Sequence, residues 1–81
     1  MATQVTFRLP DNTTIRSASQ RAFVLMSHWI DPVNGKVYAR VEKRSDSRDT
    51  LRQEFGRRVR RGTACAWFIG VSATGEVEAV R

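Results

Sequence analysis

Arginine is the residue type in this chain with the clearest capacity for chemistry, because its guanidinium group holds phosphates and carboxylates through forked hydrogen bonds. The 81 residues include 14 lysines and arginines against 8 acidic residues. The segment from Lys36 to Arg61 contains ten of these cations and four of the acids, and the rest of the chain is electrically balanced. The net charge of +6 therefore comes from one segment, which favours an anionic partner and excludes an acidic mimic of DNA.

The C-terminal part of this basic segment has the spacing of a helix. Leu51, Phe55 and Val59 recur every four residues, which predicts an apolar stripe on a helix over about 47–61. At ~100° per residue, three arginines fall on the face directed away from the core, free of acidic partners. We predict that these cations contact nucleic-acid phosphates: Arg57, Arg60 and Arg61.

Other cations lie around this helix. Arg58 follows Glu54 by four residues and is expected to pair with it. Contacts to phosphates carry no sequence information, so DNA or RNA would be bound with weak sequence preference. The alternative is a solvated helix face whose last-turn cations complement the helix dipole. Three cations at the junction of strand and helix are expected to extend the phosphate-binding patch: Lys43, Arg44 and Arg48.

Trp29, Tyr38 and Arg40 form a second candidate surface. Strand alternation places all three on one face of a predicted hairpin. Exposed aromatic rings beside arginine can stack unpaired bases. The alternative is that the two rings cover one side of a small sheet, with Arg40 over a ring as a cation–π pair. If the helix covers this face, no base platform is expected there.

Few residues could support catalysis or metal binding. The one cysteine, Cys65, and the one histidine, His28, both lie in apolar strand segments, where cysteine is usually an inert core residue. A disulfide within the chain is excluded, and a histidine-based metal site is not expected. The sequence contains no glycine-rich phosphate loop. We therefore predict a protein without catalytic residues, metal or cofactor.

The alternation of apolar residues predicts the elements that position these side chains. Strands and one helix follow the order β-β-β-β-α-β-β, an α+β fold with a mainly antiparallel sheet of five to six strands and the helix packed on one face. Apolar residues on both faces make 22–30 and 64–71 the central strands. Asn34-Gly35 predicts a hairpin turn that closes on two or on four residues. Residues 1–81 are expected to form a single small basic domain.

Targeting signals are not expected. The N-terminal residues lack the pattern of a secretory signal, and no apolar run reaches the ~18 residues that span a bilayer. The C-terminal residues contain no lipidation motif. A cytoplasmic protein without membrane contact is the prediction.

Residues 9–24, LPDNTTIRSASQRAFV, resemble the N-terminal part of small proteins encoded by actinobacterial phages. Those proteins often begin with a strand that ends in Leu-Pro-Asp-Gly-Thr. A step rich in arginine, threonine and serine follows, and then a strand that opens with arginine and an aromatic residue. Asn12 stands where they usually have glycine. The resemblance implies no catalytic residue, and it favours a phage accessory protein that acts in the host cytoplasm by binding a host factor.

Two functions agree with these patterns. The first is a non-enzymatic nucleic-acid-binding module that contacts phosphates through an arginine-rich helix face. The second is a phage-type effector that binds an acidic host protein through its basic and aromatic surface, with Trp29 or Tyr38 as the buried anchor. Either edge strand could also pair with a second copy to form a homodimer.

Overall fold

The computed structural model describes residues 3–18, 20–59 and 65–80. Over these ranges the elements follow the predicted order β-β-β-β-α-β-β, and the fold is α+β with antiparallel strand pairs. The elements are β1 (Gln4–Arg8), β2 (Thr14–Ala18), β3 (Phe23–Ile30), β4 (Val37–Ser45), α1 (Arg48–Arg58), β5 (Cys65–Val71) and β6 (Val77–Ala79).

The six strands divide into two sheets. β1 pairs with β2, and the other four strands form a sheet in the order β4-β3-β5-β6. The β1–β2 hairpin packs over one face of the larger sheet, where Phe7, Leu9 and Ile15 join Val24 and Met26 of β3 in one core cluster. Alternation gives this hairpin one apolar face, and packing against the sheet removes that face from water.

α1 covers the opposite face of the larger sheet. Leu51 is the fully buried residue of the helix and packs against Leu25 of β3 and Ile69 of β5. Phe55 meets Trp67 edge-on, with ring centroids 5.8 Å apart. Where α1 crosses them, β3 and β5 are therefore covered on both faces, as their apolar content predicts.

Gly70 of β5 lies against the ring of Phe7 from the β1–β2 hairpin. A Cβ atom at this position would lie 2.6 Å from Cδ1 of Phe7 and 2.8 Å from Cε of Met26. Glycine is required here because any side chain would displace the aromatic ring that fills the core.

α1 is shorter than the predicted range of 47–61. Ser47 is the N-cap, and its hydroxyl accepts a hydrogen bond from the backbone N–H of Thr50 at 3.4 Å. The helix ends at Arg58, because Val59 has extended backbone angles. Val59 is 43% exposed. The apolar stripe of the helix therefore consists of Leu51 and Phe55 and does not include Val59.

Two turns contain residues in the left-handed region. The β3–β4 turn closes on four residues, since the N–H of Asp31 donates to the carbonyl of Lys36 at 2.9 Å, and Gly35 has φ of 70°. In the β1–β2 turn Asn12 has φ of 71°, a conformation that glycine adopts most readily and asparagine more readily than most other residues.

Candidate functional site

α1 lies on the same face of the sheet as the predicted aromatic surface. Every second residue of β3 points to this helix-side face, namely Leu25, Ser27 and Trp29. The helix packs at the Leu25 end of the strand. Trp29 and Tyr38 lie at the other end, and each is 39% exposed. Because the helix covers part of this face, a platform for bases could lie only on the part that the helix leaves open. We call the uncovered region around Trp29, Tyr38 and Arg40 the open end.

Trp29 and Tyr38 stack against each other at the open end. They are directly opposed in the β3–β4 register, and their ring centroids lie 4.5 Å apart with 19° between the planes. Arg40 is opposed to Ser27 on the same face. The prediction that the two rings and Arg40 share one face is therefore confirmed.

Arg40 is not the cation–π partner of these rings. Its Nε donates to Oε1 of Glu42 at 2.6 Å. Among the described residues, the cation–π contact is made by Arg48, whose guanidinium lies 4.9 Å from the centre of the Phe23 ring. The Arg40 side chain is 76% exposed, so it uses one donor within the protein and presents others to solvent.

Glu42 is the centre of a charged network between β4 and α1. Its side chain is 6% exposed, and Oε1 accepts hydrogen bonds from the Ser27 hydroxyl at 2.7 Å and from Arg40. Oε2 accepts a hydrogen bond from Nη1 of Arg58, which links the end of the helix to β4. Burial alone would raise the pKa of Glu42. The hydrogen bonds from Ser27 and Arg40, together with the charges of Arg40 and Arg58, outweigh burial and hold the pKa below its usual range.

Glu54 holds the two arginines at the end of α1. Its Oε1 accepts from Nε of Arg58 at 3.2 Å, which confirms the predicted pair. Its Oε2 lies 2.7 Å from Nη2 of Arg57, so the prediction that Arg57 is free of acidic partners is wrong. Residues three apart are neighbours on a helix surface, and the exposed Arg57 side chain bends back to the carboxylate. Desolvation would raise the pKa of Glu54, but the hydrogen bond from Arg58 and the charges of Arg57 and Lys43 lower it.

A β-bulge decides which faces Lys43 and Arg44 occupy. The β3–β4 register shifts by one residue after Leu25, which leaves Glu42 as the extra residue. Lys43 is opposed to Leu25 and lies on the helix side. Arg44 lies on the side of the β1–β2 hairpin, where its Nε donates to the hydroxyl of Ser17 at 2.8 Å. A regular strand would have exchanged these two faces.

The predicted patch at the strand–helix junction is therefore not one surface. Arg44 is bound to the hairpin, and Nε of Arg48 lies 3.3 Å from Glu78 of β6 without hydrogen-bond geometry. Both side chains are part of the packing between elements. Lys43 and Arg48 lie on the helix side of the sheet, and Arg44 lies on the opposite side. Two predicted cations lie outside the described residues: Arg60 and Arg61.

Large apolar side chains are exposed at the tip of the β3–β4 hairpin. Ile30 and Val37 are opposed to each other and half exposed, and Val33 in the turn is 93% exposed. The last described pair between β3 and β5 is Trp29 and Cys65, and Ile30 follows Trp29 in β3. Sequence reasoning missed this exposure, because an apolar residue in a strand is read as core. The one signal was Val33, an apolar residue inside a turn.

The sheet separates the histidine from the cysteine. His28 lies on the side of the β1–β2 hairpin, with Nε2 2.8 Å from Oδ2 of Asp11. Cys65 is opposed to Trp29 on the helix side, so the two side chains do not form a nucleophile–base pair. Burial raises the pKa of the Cys65 thiol, which lowers its reactivity at neutral pH.

The described residues were also compared with the requirements of a metal site and of a membrane-spanning helix. Across 3–18, 20–59 and 65–80, no three histidine, cysteine or acidic side chains are grouped so as to hold a metal ion. Within those same ranges, no helix is long and apolar enough to cross a membrane. No protein-family model, curated protein or solved structure matches the chain.

Proposed function

We propose that the protein binds nucleic acid without catalysing a reaction, through the cations of the helix-side face. The observation that carries this proposal is a shortage of carboxylates around the end of α1, where Glu42 and Glu54 are shared among several cations. The cations around these two carboxylates are Arg40, Lys43, Arg57 and Arg58. Two carboxylates neutralise two of these four charges, so a net charge of two remains. Uncompensated charge on one face attracts polyanions.

Arg40 and Arg57 are the best placed to contact phosphates. Both are strongly exposed, and each contacts a carboxylate through one nitrogen. A guanidinium has five N–H donors in a planar fork, so the carboxylate orients the side chain while other donors hold phosphate oxygens. An arginine that is already positioned loses less side-chain entropy on binding. Arg60 and Arg61 follow in the chain, and we propose that they add phosphate contacts.

The double variant Arg40→Gln/Arg57→Gln is expected to bind nucleic acid more weakly than the wild type. The plot of the logarithm of the binding constant against the logarithm of the salt concentration should become less steep. Its slope should change by about 1 for each phosphate that the variant no longer neutralises. Fluorescence anisotropy with labelled single- and double-stranded DNA and RNA, between about 50 and 200 mM salt, measures both quantities. Adding Arg60→Gln and Arg61→Gln should lower the slope further.

The matched control removes the same charge elsewhere. Arg8→Gln/Arg16→Gln changes two exposed arginines on the outer face of the β1–β2 hairpin and should leave the affinity close to that of the wild type. If the two double variants weakened nucleic-acid binding equally, the proposed phosphate site would be contradicted, because net charge alone would then govern the affinity. An absence of binding to every probe at low salt would contradict the function. Circular dichroism of each variant establishes that it is folded.

The exposed hairpin tip favours a second candidate function, docking onto an acidic host protein as a phage accessory protein. Exposed apolar patches with aromatic anchors mark protein interfaces. Val33→Asp is expected to abolish capture of a host protein from nuclease-treated lysate without changing the fold, since Val33 is almost fully exposed. Ala73→Asp, in the turn at the opposite end of the sheet, should leave capture unchanged. Equal capture by both variants would contradict docking through the tip.

A further inference from the structure

We propose that the site takes single-stranded nucleic acid, and that a base stacks on the outward face of Tyr38 as the third ring of a column that begins with Trp29. This inference rests on the proposed nucleic-acid function and specifies its substrate. Three observations carry it: the orientation of the two rings, the place of Tyr38 in the sheet, and the charge beside it.

Trp29 and Tyr38 stand upright on the sheet. Directly opposed side chains of antiparallel strands have Cβ atoms ~4.5–5.5 Å apart. The ring centroids are 4.5 Å apart and the planes differ by 19°, so the rings remain side by side and nearly parallel as they leave the backbone. Rings lying flat on the sheet would share one plane and could not stack on each other. Each ring therefore has one face inside the pair and one face directed across the strands.

The outward face of Tyr38 lies at an open edge of the sheet. Tyr38 belongs to β4, the first strand in the order β4-β3-β5-β6, and no strand in the described part of the chain pairs with the outer side of β4. Trp29 belongs to β3, and its other neighbour across the sheet is Cys65 of β5. Tyr38 remains 39% exposed although Trp29 covers one of its faces. The column can therefore be extended from the Tyr38 side, at the edge of the sheet.

A nucleobase is the planar group that the surroundings of Tyr38 favour. Offset parallel stacking is a preferred arrangement of aromatic rings, and stacking on a base is tolerant of sequence. Arg40 lies two residues further along β4 on the same face, roughly 7 Å along the strand, where its exposed donors can hold a flanking phosphate. A proline-rich peptide could also lie on the rings. It would leave the two excess positive charges of this face without partners.

The same contact is closed to a duplex. Both faces of every base pair inside a duplex are covered by the neighbouring pairs, and reaching Tyr38 would require such a base to unstack and unpair. A duplex therefore offers this surface its phosphates alone. The proposal predicts that Tyr38 contributes to the binding of single strands and not to the binding of duplexes.

Tyr38→Val tests the proposal, since valine suits a strand and cannot stack. The probes are a single-stranded oligodeoxynucleotide containing 2-aminopurine and the duplex of the same sequence. Tyr38→Val should weaken single-strand binding about 5- to 100-fold and remove the quenching of 2-aminopurine fluorescence. Duplex affinity and the salt dependence of both probes should not change. Tyr38→Phe keeps the ring and should bind like the wild type.

The outcomes separate this proposal from the function on which it rests. Unchanged single-strand affinity in Tyr38→Val, with weaker binding by Arg40→Gln/Arg57→Gln, would overturn the stacking and keep the nucleic-acid function. Equal losses for single strand and duplex would also overturn it, because Tyr38 would then act by holding the hairpin in place. If no probe binds and a captured host protein is lost in Tyr38→Val, the stack is a protein contact and both proposals fail.

Discussion

Leu51→Ala is expected to lower the free energy of unfolding by about 2 to 5 kcal/mol, because it removes a buried leucine and leaves a cavity. Leu51 is the one fully buried residue among those of α1. The helix has 11 residues, fewer than the ~12–15 that an isolated helix needs for even marginal stability in water. Gly56 inside it costs a further ~1 kcal/mol relative to alanine. α1 therefore depends on the contact of Leu51 with the sheet.

Urea-induced unfolding followed by circular dichroism measures this loss. Val59→Ala is the matched control, since Val59 continues the same apolar stripe in the sequence but is exposed in the structure. Its effect should stay within about 0.5 kcal/mol. Comparable losses in the two variants would show that Val59 is buried like Leu51, contrary to the observed end of the helix at Arg58.

Glu42→Gln should produce the second large effect, a loss of about 2 kcal/mol of unfolding free energy at neutral pH. Breaking a fully buried ion pair costs roughly 3 to 5 kcal/mol, but Arg40 and Arg58 are partly exposed and can regain water. Glutamine keeps the shape of the side chain and one acceptor oxygen, so the Ser27 hydroxyl can remain bonded. The loss of unfolding free energy in this variant is therefore caused by the missing charge and not by a cavity.

The pH dependence of stability follows from the lowered pKa of Glu42. A carboxyl whose pKa is lower in the folded than in the unfolded protein contributes stability that is complete above its unfolded pKa, about 4.3 for glutamate. This contribution is lost as the pH falls through the folded pKa. The unfolding free energies of the wild type and Glu42→Gln should therefore differ at neutral pH and converge in acid.

Unfolding in urea at neutral and acidic pH tests this expectation. Glu76→Gln removes an exposed carboxylate from the β5–β6 turn and should shift stability by less than about 0.5 kcal/mol at neutral pH. A difference between wild type and Glu42→Gln that persists unchanged in acid would contradict a stabilising charge at Glu42, and would indicate altered packing instead.

Local patterns predicted the order of elements and the position of the hairpins. Alternation with a period of two depends only on near neighbours, and Asn34-Gly35 identifies the β3–β4 turn without reference to the rest of the chain. Once a hairpin turn is placed, its register follows, which is why Trp29 and Tyr38 could be assigned to one face. The Glu54–Arg58 pair is equally local, because it lies within one helix.

The charge asymmetry was also visible in the sequence, but its division among faces was not. Arg57 turns back to Glu54, and Arg44 is directed to the hairpin by a bulge that no residue pattern marks. Arg40 and Arg58 meet at Glu42 although they come from different elements. Such pairs depend on where a helix crosses a sheet, which is set by long-range packing.

The sequence by itself determined the strands, the helix, the turns and the segment that contains the net charge, since each depends on residues close together in the chain. Only the tertiary structure decided which face α1 covers, because β3 is apolar on both faces and either could receive the helix. It also decided that β1 and β2 form a separate layer and that Trp29 and Tyr38 lie beyond the helix. These outcomes follow from which apolar surfaces meet across the fold, a property of the whole chain rather than of any segment.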